Sequence, residues 1–146
     1  MLGNINIENI LFLDIETVPQ FPDYDSTPDG IRALWDLKAN LLKKNPEFEL
    51  ESALSLYRRA GIYAEFGKII CISVGYIKGN EFRAKSFFGH GETELLQGFI
   101  SLLTNHFSRN EHLLCGHNGK EFDFPYLSRR MLVNGLKLPK ILDTAG

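Results

Sequence analysis

The chain has 146 residues, 44% of them hydrophobic, and a formal charge of −2. That length and apolar content suffice for one buried core and point to a single domain. The near-neutral charge excludes a protein that coats nucleic acid by bulk electrostatics, so any polynucleotide would be held locally, by ions and a few contacts. Cys71 and Cys115 sit in apolar runs without CxxC spacing, which reads as buried, reduced thiols. No apolar run approaches the roughly 20 residues of a membrane span, and Met1-Leu2-Gly3-Asn4 has neither a basic nor an apolar leader region. No membrane partner and a cytoplasmic location are expected.

Ile10 to Leu13 is apolar without alternation, as in a central strand covered on both faces. The strand runs on through Asp14-Ile15-Glu16-Thr17. Beyond a Pro-, Asp- and Ser-rich stretch, Ile31, Leu34, Trp35, Lys38, Leu41 and Leu42 fall at helical spacing up to Asn45-Pro46. Leu50, Ala53, Leu54 and Tyr57 then share one face of a second helix that Gly61 stops. These helices read as an insertion at about residues 19–64, in which Trp35 and Tyr57 are packing residues.

Ile69 to Ile77 predicts a strand, Gly79-Asn80 a tight turn, and Glu81 to Phe88 a wetter return strand. Thr93 to Phe107 repeats apolar residues at helical intervals, with Glu92 and Glu94 at the positive end of the helix dipole. Leu113-Leu114-Cys115 reads as a short buried strand. Asp123 can cap the helix that follows, with Pro125 in its first turn and Leu127, Met131 and Leu132 facing inward. Ile141-Leu142 opens a fifth strand. This order predicts a three-layer α/β fold on a mixed five-stranded sheet.

Side chains alternate along a strand, so Asp14 and Glu16 project to one face roughly 7 Å apart, close enough to share cations. Asp123 adds a third acid at a helix start. A hard-metal site drawn from separate parts of a fold needs this kind of set, and the pattern is that of a metal-dependent nuclease. His117 reads as a loop hydrogen-bonder rather than a base, and His90, His106 and His112, without paired ligands, as solvated. Arg129-Arg130 reads as a solvated pair on an outer helix face.

Phe12-Leu13-Asp14-Ile15-Glu16-Thr17, followed by His117-Asn118-x-x-x-Phe122-Asp123-x-Pro125-Tyr126-Leu127, resembles the first and second motifs of the DEDD (DnaQ-like) 3′-5′ exonucleases. The stretch from Glu65 to Gly75 looks like that of the group related to the proofreading domain of family B DNA polymerases. The resemblance implies an RNase H-like fold in which four acids hold two Mg²⁺ or Mn²⁺ ions. Asp14 matches the acid that binds both ions, Glu16 a ligand that also orients the attacking water, and Asp123 the third acid. Asn118 and Phe122 match positions used near the terminal nucleotides. Thr17, closing the first motif, and Lys120, in the loop before the third acid, complete the candidate substrate-binding set.

The family's third motif, a Tyr or His followed by the fourth Asp, would fall after Gly146. A C-terminally incomplete domain is therefore expected, without the general base and the last helix, and open to self-association through uncovered sheet surface. Asp143 is not expected to replace the missing ligand. The implied activity is hydrolysis of phosphodiester bonds at a single-stranded DNA 3′ end. The alternatives are an exoribonuclease and a catalytically impaired module that binds nucleic acid or metal. A phosphatase whose strand ends in DxD is disfavoured by Glu16 and leaves the Phe122-Asp123-x-Pro125 motif unexplained.

Overall fold

In the computed structural model, which describes residues 5–143, strand β1 (Ile10–Pro19) buries Leu11, Leu13 and Ile15 while Asp14 and Glu16 stay exposed. The expectation of a strand covered on both faces is therefore corrected. Alternate side chains of β1 face a packed core and an open surface, which is how a sheet with one solvated face is built. The wet face carries the acids.

Strand β2 (Gly67–Lys78) and β3 (Glu81–Phe88) form an antiparallel hairpin, with Lys78 opposite Glu81. Its turn works because Gly79 and Asn80 both adopt positive φ, +57° and +63°. Two successive left-handed residues match the twist of a two-residue hairpin, and Gly and Asn tolerate them best. Helix α3 (Glu92–His106) follows and buries Leu95, Leu96, Phe99 and Leu103. Strand β4 (Leu113–Cys115) and helix α4 (Asp123–Val133) come next. The sheet has the order β3-β2-β1-β4, with β1 and β4 parallel and β2 and β3 antiparallel.

Four strands are found among the described residues, not five. Ile141 and Leu142 lie instead in a 3-10 turn, Lys140–Leu142, entered from Pro139, which presets φ at −63°. Residues beyond Asp143 fall outside the described range. The sheet surface bearing Asp14, Ser73 and Ser86 remains exposed.

Several side chains depart from expectation. β4 ends the sheet and is three residues long, so Leu113 is 44% exposed and Cys115 is exposed rather than buried. Cys71 is half-buried, its sulfur 3.6 Å from the Ser73 hydroxyl on the open face. His112, expected in solvent, is buried against Phe107 and accepts the Arg109 backbone N–H at 3.1 Å.

Thr17–Lys68 forms a compact unit of its own. Helix α1 (Asp29–Leu42) and the four-residue α2 (Ala53–Leu56), which a Ser52–Ser55 capping box starts, build it with a 3-10 stretch over Tyr57–Ile62. Trp35 is fully buried among Ala39, Leu56, Tyr57 and Phe66. Its ring meets Tyr57 edge-on at 5.5 Å, and its indole N–H donates to the Ala53 carbonyl at 2.8 Å. The buried polar tip is thus satisfied, as a Trp core requires. Gly61 is required here, since a Cβ would stand 2.9 Å from the Val18 backbone. Leu50, placed on a helix face by its spacing, is fully exposed ahead of α2. No helix among the described residues is long and apolar enough to cross a membrane.

Candidate functional site

The parallel pairing of β1 with β4 brings the two sequence motifs together. Ile10, Leu11 and Phe12 face Leu113, Leu114 and Cys115. Parallel strands point the same way, so the segments that follow, Asp14-Ile15-Glu16 on one and Gly116-His117-Asn118 on the other, emerge at one end of the sheet. Gly116 permits the approach, because a Cβ there would lie 3.0 Å from the Leu13 carbonyl oxygen. Asn118 turns the loop with φ +55°. Phe122 N–H and Glu121 N–H return to the Asn118 carbonyl, and α4 starts at Asp123.

Asp123 does not cap α4 as expected. Phe122 holds the cap position without a side-chain hydrogen bond, and Asp123 is the first helical residue. Its side chain is buried beside the backbone of β1 instead, where the Ile15 amide and its own amide favour the charged carboxylate. The residue is 3% exposed. Burial pushes the Asp123 carboxyl above the usual carboxylate range, and the negative charge of Asp14 pushes it further; the two amides and the His117 imidazole oppose the rise. Asp14 and Asp123 are therefore neighbours whose charges repel.

The structure does not bring every candidate to this point. Asp14 and His117 line one cavity of about 520 Å³ with Phe12, Ser73, Gly75 and Phe82. Asn118 and Lys120 line a separate one of about 330 Å³ with Cys115 and Phe124. Phe122 is half-buried with its ring 5.4 Å from Tyr126, which is a packing contact more than a free stacking surface. Glu16 is exposed and Thr17 half-buried on β1. Asp143 is exposed and lines a larger, mostly apolar cavity with Leu113, Phe124, Leu138 and Ile141.

The donor chemistry of Asp14 and Asp123 fits a divalent ion. Carboxylate oxygens are the ligands hard cations take, and Mg²⁺ in particular is often held by one or two carboxylates, with water and substrate phosphates filling its shell. The mutual repulsion of the pair is what such an ion relieves. A wider protein cage is not formed: no three His, Cys, Asp or Glu side chains among the described residues stand close enough together to hold a metal ion.

A second polar cluster went unseen in the sequence. Arg130, expected in solvent, is 3% exposed and reaches the Glu92 carboxylate at 2.9 Å through Nε and 2.5 Å through a terminal nitrogen. Glu92 also accepts the Ile69 backbone N–H at 2.8 Å and the Asn134 amide at 3.0 Å, while Thr93 donates to Asn134 at 2.8 Å. Burial raises the Glu92 pKa, yet the hydrogen bonds from Arg130, Ile69 and Asn134 outweigh it and hold the group below its ordinary value. The signal was available. Leu127, Arg130 and Met131 share the i, i+3, i+4 stripe of α4, whereas Leu132, assigned inward by its apolarity, is 61% exposed.

Residues 59–144, more than half of the chain, match the family model of the RNase H superfamily. The match includes Asp123 and the loop before it and begins after Asp14 and Glu16. No curated protein matches the chain.

Proposed function

This chain belongs to the RNase H superfamily, and on that premise we propose that it is a metal-dependent nuclease domain of the DEDD type, related to the proofreading exonucleases of family B polymerases. It removes nucleotides from a single-stranded DNA 3′ end. Asp14 and Asp123 hold the ion, Glu16 orients the attacking water, and Asn118 and Lys120 contact the strand. Within this reading the helical segment at about 19–64 is an insertion in one domain.

The observation that carries the reading is the burial of Asp123 beside Asp14, at the end of the sheet where β1 and β4 run parallel. Two acids 109 positions apart in sequence share one strand end, where burial and like charge raise the pKa of one of them. Structural acids are usually paired with a cation, whereas perturbed acids beside a like charge gather at functional sites. A bound Mg²⁺ or Mn²⁺ supplies neutralisation of the phosphate charge and acidification of a water. The chain itself places the acids, with the Ile15 and Asp123 amides fixing one carboxylate, and offers His117 at the wall of the adjoining cavity.

A second reading is favoured by one observation. Since no three ligating side chains among the described residues converge, the chain also fits a module that binds metal or nucleic acid and turns over slowly. Incubation with a 5′-labelled single-stranded DNA oligomer and Mn²⁺, beside an Asp14→Asn control and an RNA oligomer of the same sequence, separates the readings. Shortening of DNA from the 3′ end that disappears in the control is the expected result. Preference for RNA would move the substrate class. Mn²⁺ binding without cleavage would establish the second reading, and neither binding nor cleavage would overturn both.

A further inference from the structure

Asp123 and Arg130 lie seven residues apart on α4. At roughly 100° per residue their side chains leave the helix on nearly the same face, about 10 Å apart along the axis. Each ends in a polar fastener to a different part of the sheet. Asp123 is 3% exposed at the helix start, and the Ile15 amide of β1 favours its charge. Arg130 is tied to Glu92 at the first turn of α3, and Glu92 is tied to the Ile69 amide near the start of β2. Asn134, one turn beyond Arg130, donates to both Glu92 and the Arg130 carbonyl, at 3.0 and 2.8 Å. Apolar contacts at Leu127 and Met131 hold the helix down but are non-directional, and leave sliding and tilt to be fixed by the polar ends.

We propose that Arg130, gripped by Glu92, is a positioning residue that sets the tilt and register of α4 and thereby presents the Asp123 carboxylate for a divalent cation beside Asp14. This rests on the reading of Asp14 and Asp123 as ligands. A ligating group displaced by more than about 0.5 Å loses much of its use, and partners of ligands tune affinity from behind. The two-pronged contact of a planar guanidinium on a carboxylate fixes orientation as well as distance, which an ammonium cannot do.

The test compares the intact chain with Arg130→Lys and with the pair Glu92→Met and Arg130→Met. The pair removes both buried charges at once, a change that commonly leaves stability near its starting value. Two readouts are taken: hydrogen exchange at the Ile15 amide without metal, and Mn²⁺ affinity by electron paramagnetic resonance. In the folded pair variant, exchange at Ile15 should quicken by about 10-fold while amides of the β2–β3 hairpin stay unchanged. Mn²⁺ should bind roughly 10- to 100-fold more weakly. Arg130→Lys should fall between. Wild-type exchange and wild-type affinity in a folded variant would overturn the proposal; if the pair does not fold, Arg130→Lys decides by the same two readings. An intact chain that binds no Mn²⁺ defeats the assignment of the ligands. The exchange rate at Ile15 then decides alone, a quicker rate upholding the placement of Asp123 by Arg130 and an unchanged rate overturning it.

Discussion

Helix α4 meets two largely buried acids, and they are treated in opposite ways. Along its C-terminal half, Glu92 of α3 receives a guanidinium, a side-chain amide and a backbone amide, and its pKa falls below the ordinary value although burial raises it. At its N-terminus Asp123 receives backbone amides alone, faces Asp14, and its pKa rises. The helix dipole favours the Asp123 charge, so the rise stands against a stabilising contribution. Burial is common to both, and what differs is the sign of the nearest full charge. One acid is a fastener. In the proposed reading the other is a group held for a cation, as perturbed carboxylates at functional sites are.

Breaking the satisfied end should have the largest effect. Arg130→Met alone leaves the Glu92 charge buried and unpaired, and urea denaturation should show a loss of about 3–5 kcal/mol. Replacing both partners should cost far less, and equal losses would mean that Glu92 is not the group that suffers. The unsatisfied end should respond instead to a cation. Mn²⁺ at roughly 100 times its dissociation constant should add about 2.7 kcal/mol to the unfolding free energy. Asp14→Asn should abolish most of that gain, together with more than roughly 100-fold of any 3′ cleavage, since even outer partners of metal ligands cost 10–100-fold. A gain that survives Asp14→Asn would place the ion elsewhere.

The elements of the sheet were legible because they are written in local patterns. The Asp14-Ile15-Glu16 alternation places two acids on one face wherever the strand lies, and Gly79-Asn80 selects a turn by φ alone. Helix α3 carries its apolar stripe through one continuous stretch. Burial that depends on a distant partner was not legible. Arg130 is inside because Glu92, 38 residues earlier, is waiting for it, and a sequence pattern that counts charge as wet assigns Leu132 to its place. His112 is buried for a related reason, with Phe107 and Arg109 supplying its contacts. The error at Ile141-Leu142 is of another kind. An apolar Ile-Leu pair shortly after Pro139 reads as a strand start, but the neighbour it would need, β4, is three residues long, and the chain there closes into a 3-10 turn. For the site, the types and order of Asp14, Glu16 and Asp123 were readable, and their unequal burial was not.

Two effects that follow from that inequality have opposite pH signs, the one at Asp123 being the smallest. Glu92 titrates below its ordinary value of 4.5 in the folded chain. Its contribution is therefore complete above pH 4.5 and is lost as pH falls through the folded value. Asp123 titrates above its ordinary value of 3.8. Folding there favours the protonated form, so its contribution is complete below pH 3.8 and is lost as pH rises through the folded value. Asp123→Asn mimics the protonated acid, and in metal-free buffer it should raise Tm at pH 7 while leaving it nearly unchanged at pH 3. Glu92→Gln should do the reverse, lowering Tm at pH 7 and converging on the parent in acid. Should Asp123→Asn lower Tm at pH 7, the amide hydrogen bonds from Ile15 and Asp123 would outweigh burial and the Asp14 charge, and Asp123 would join Glu92 as a fastener. The contrast between the two ends of α4, and with it the case for a cation at the Asp14 end, stands on the sign of that one shift.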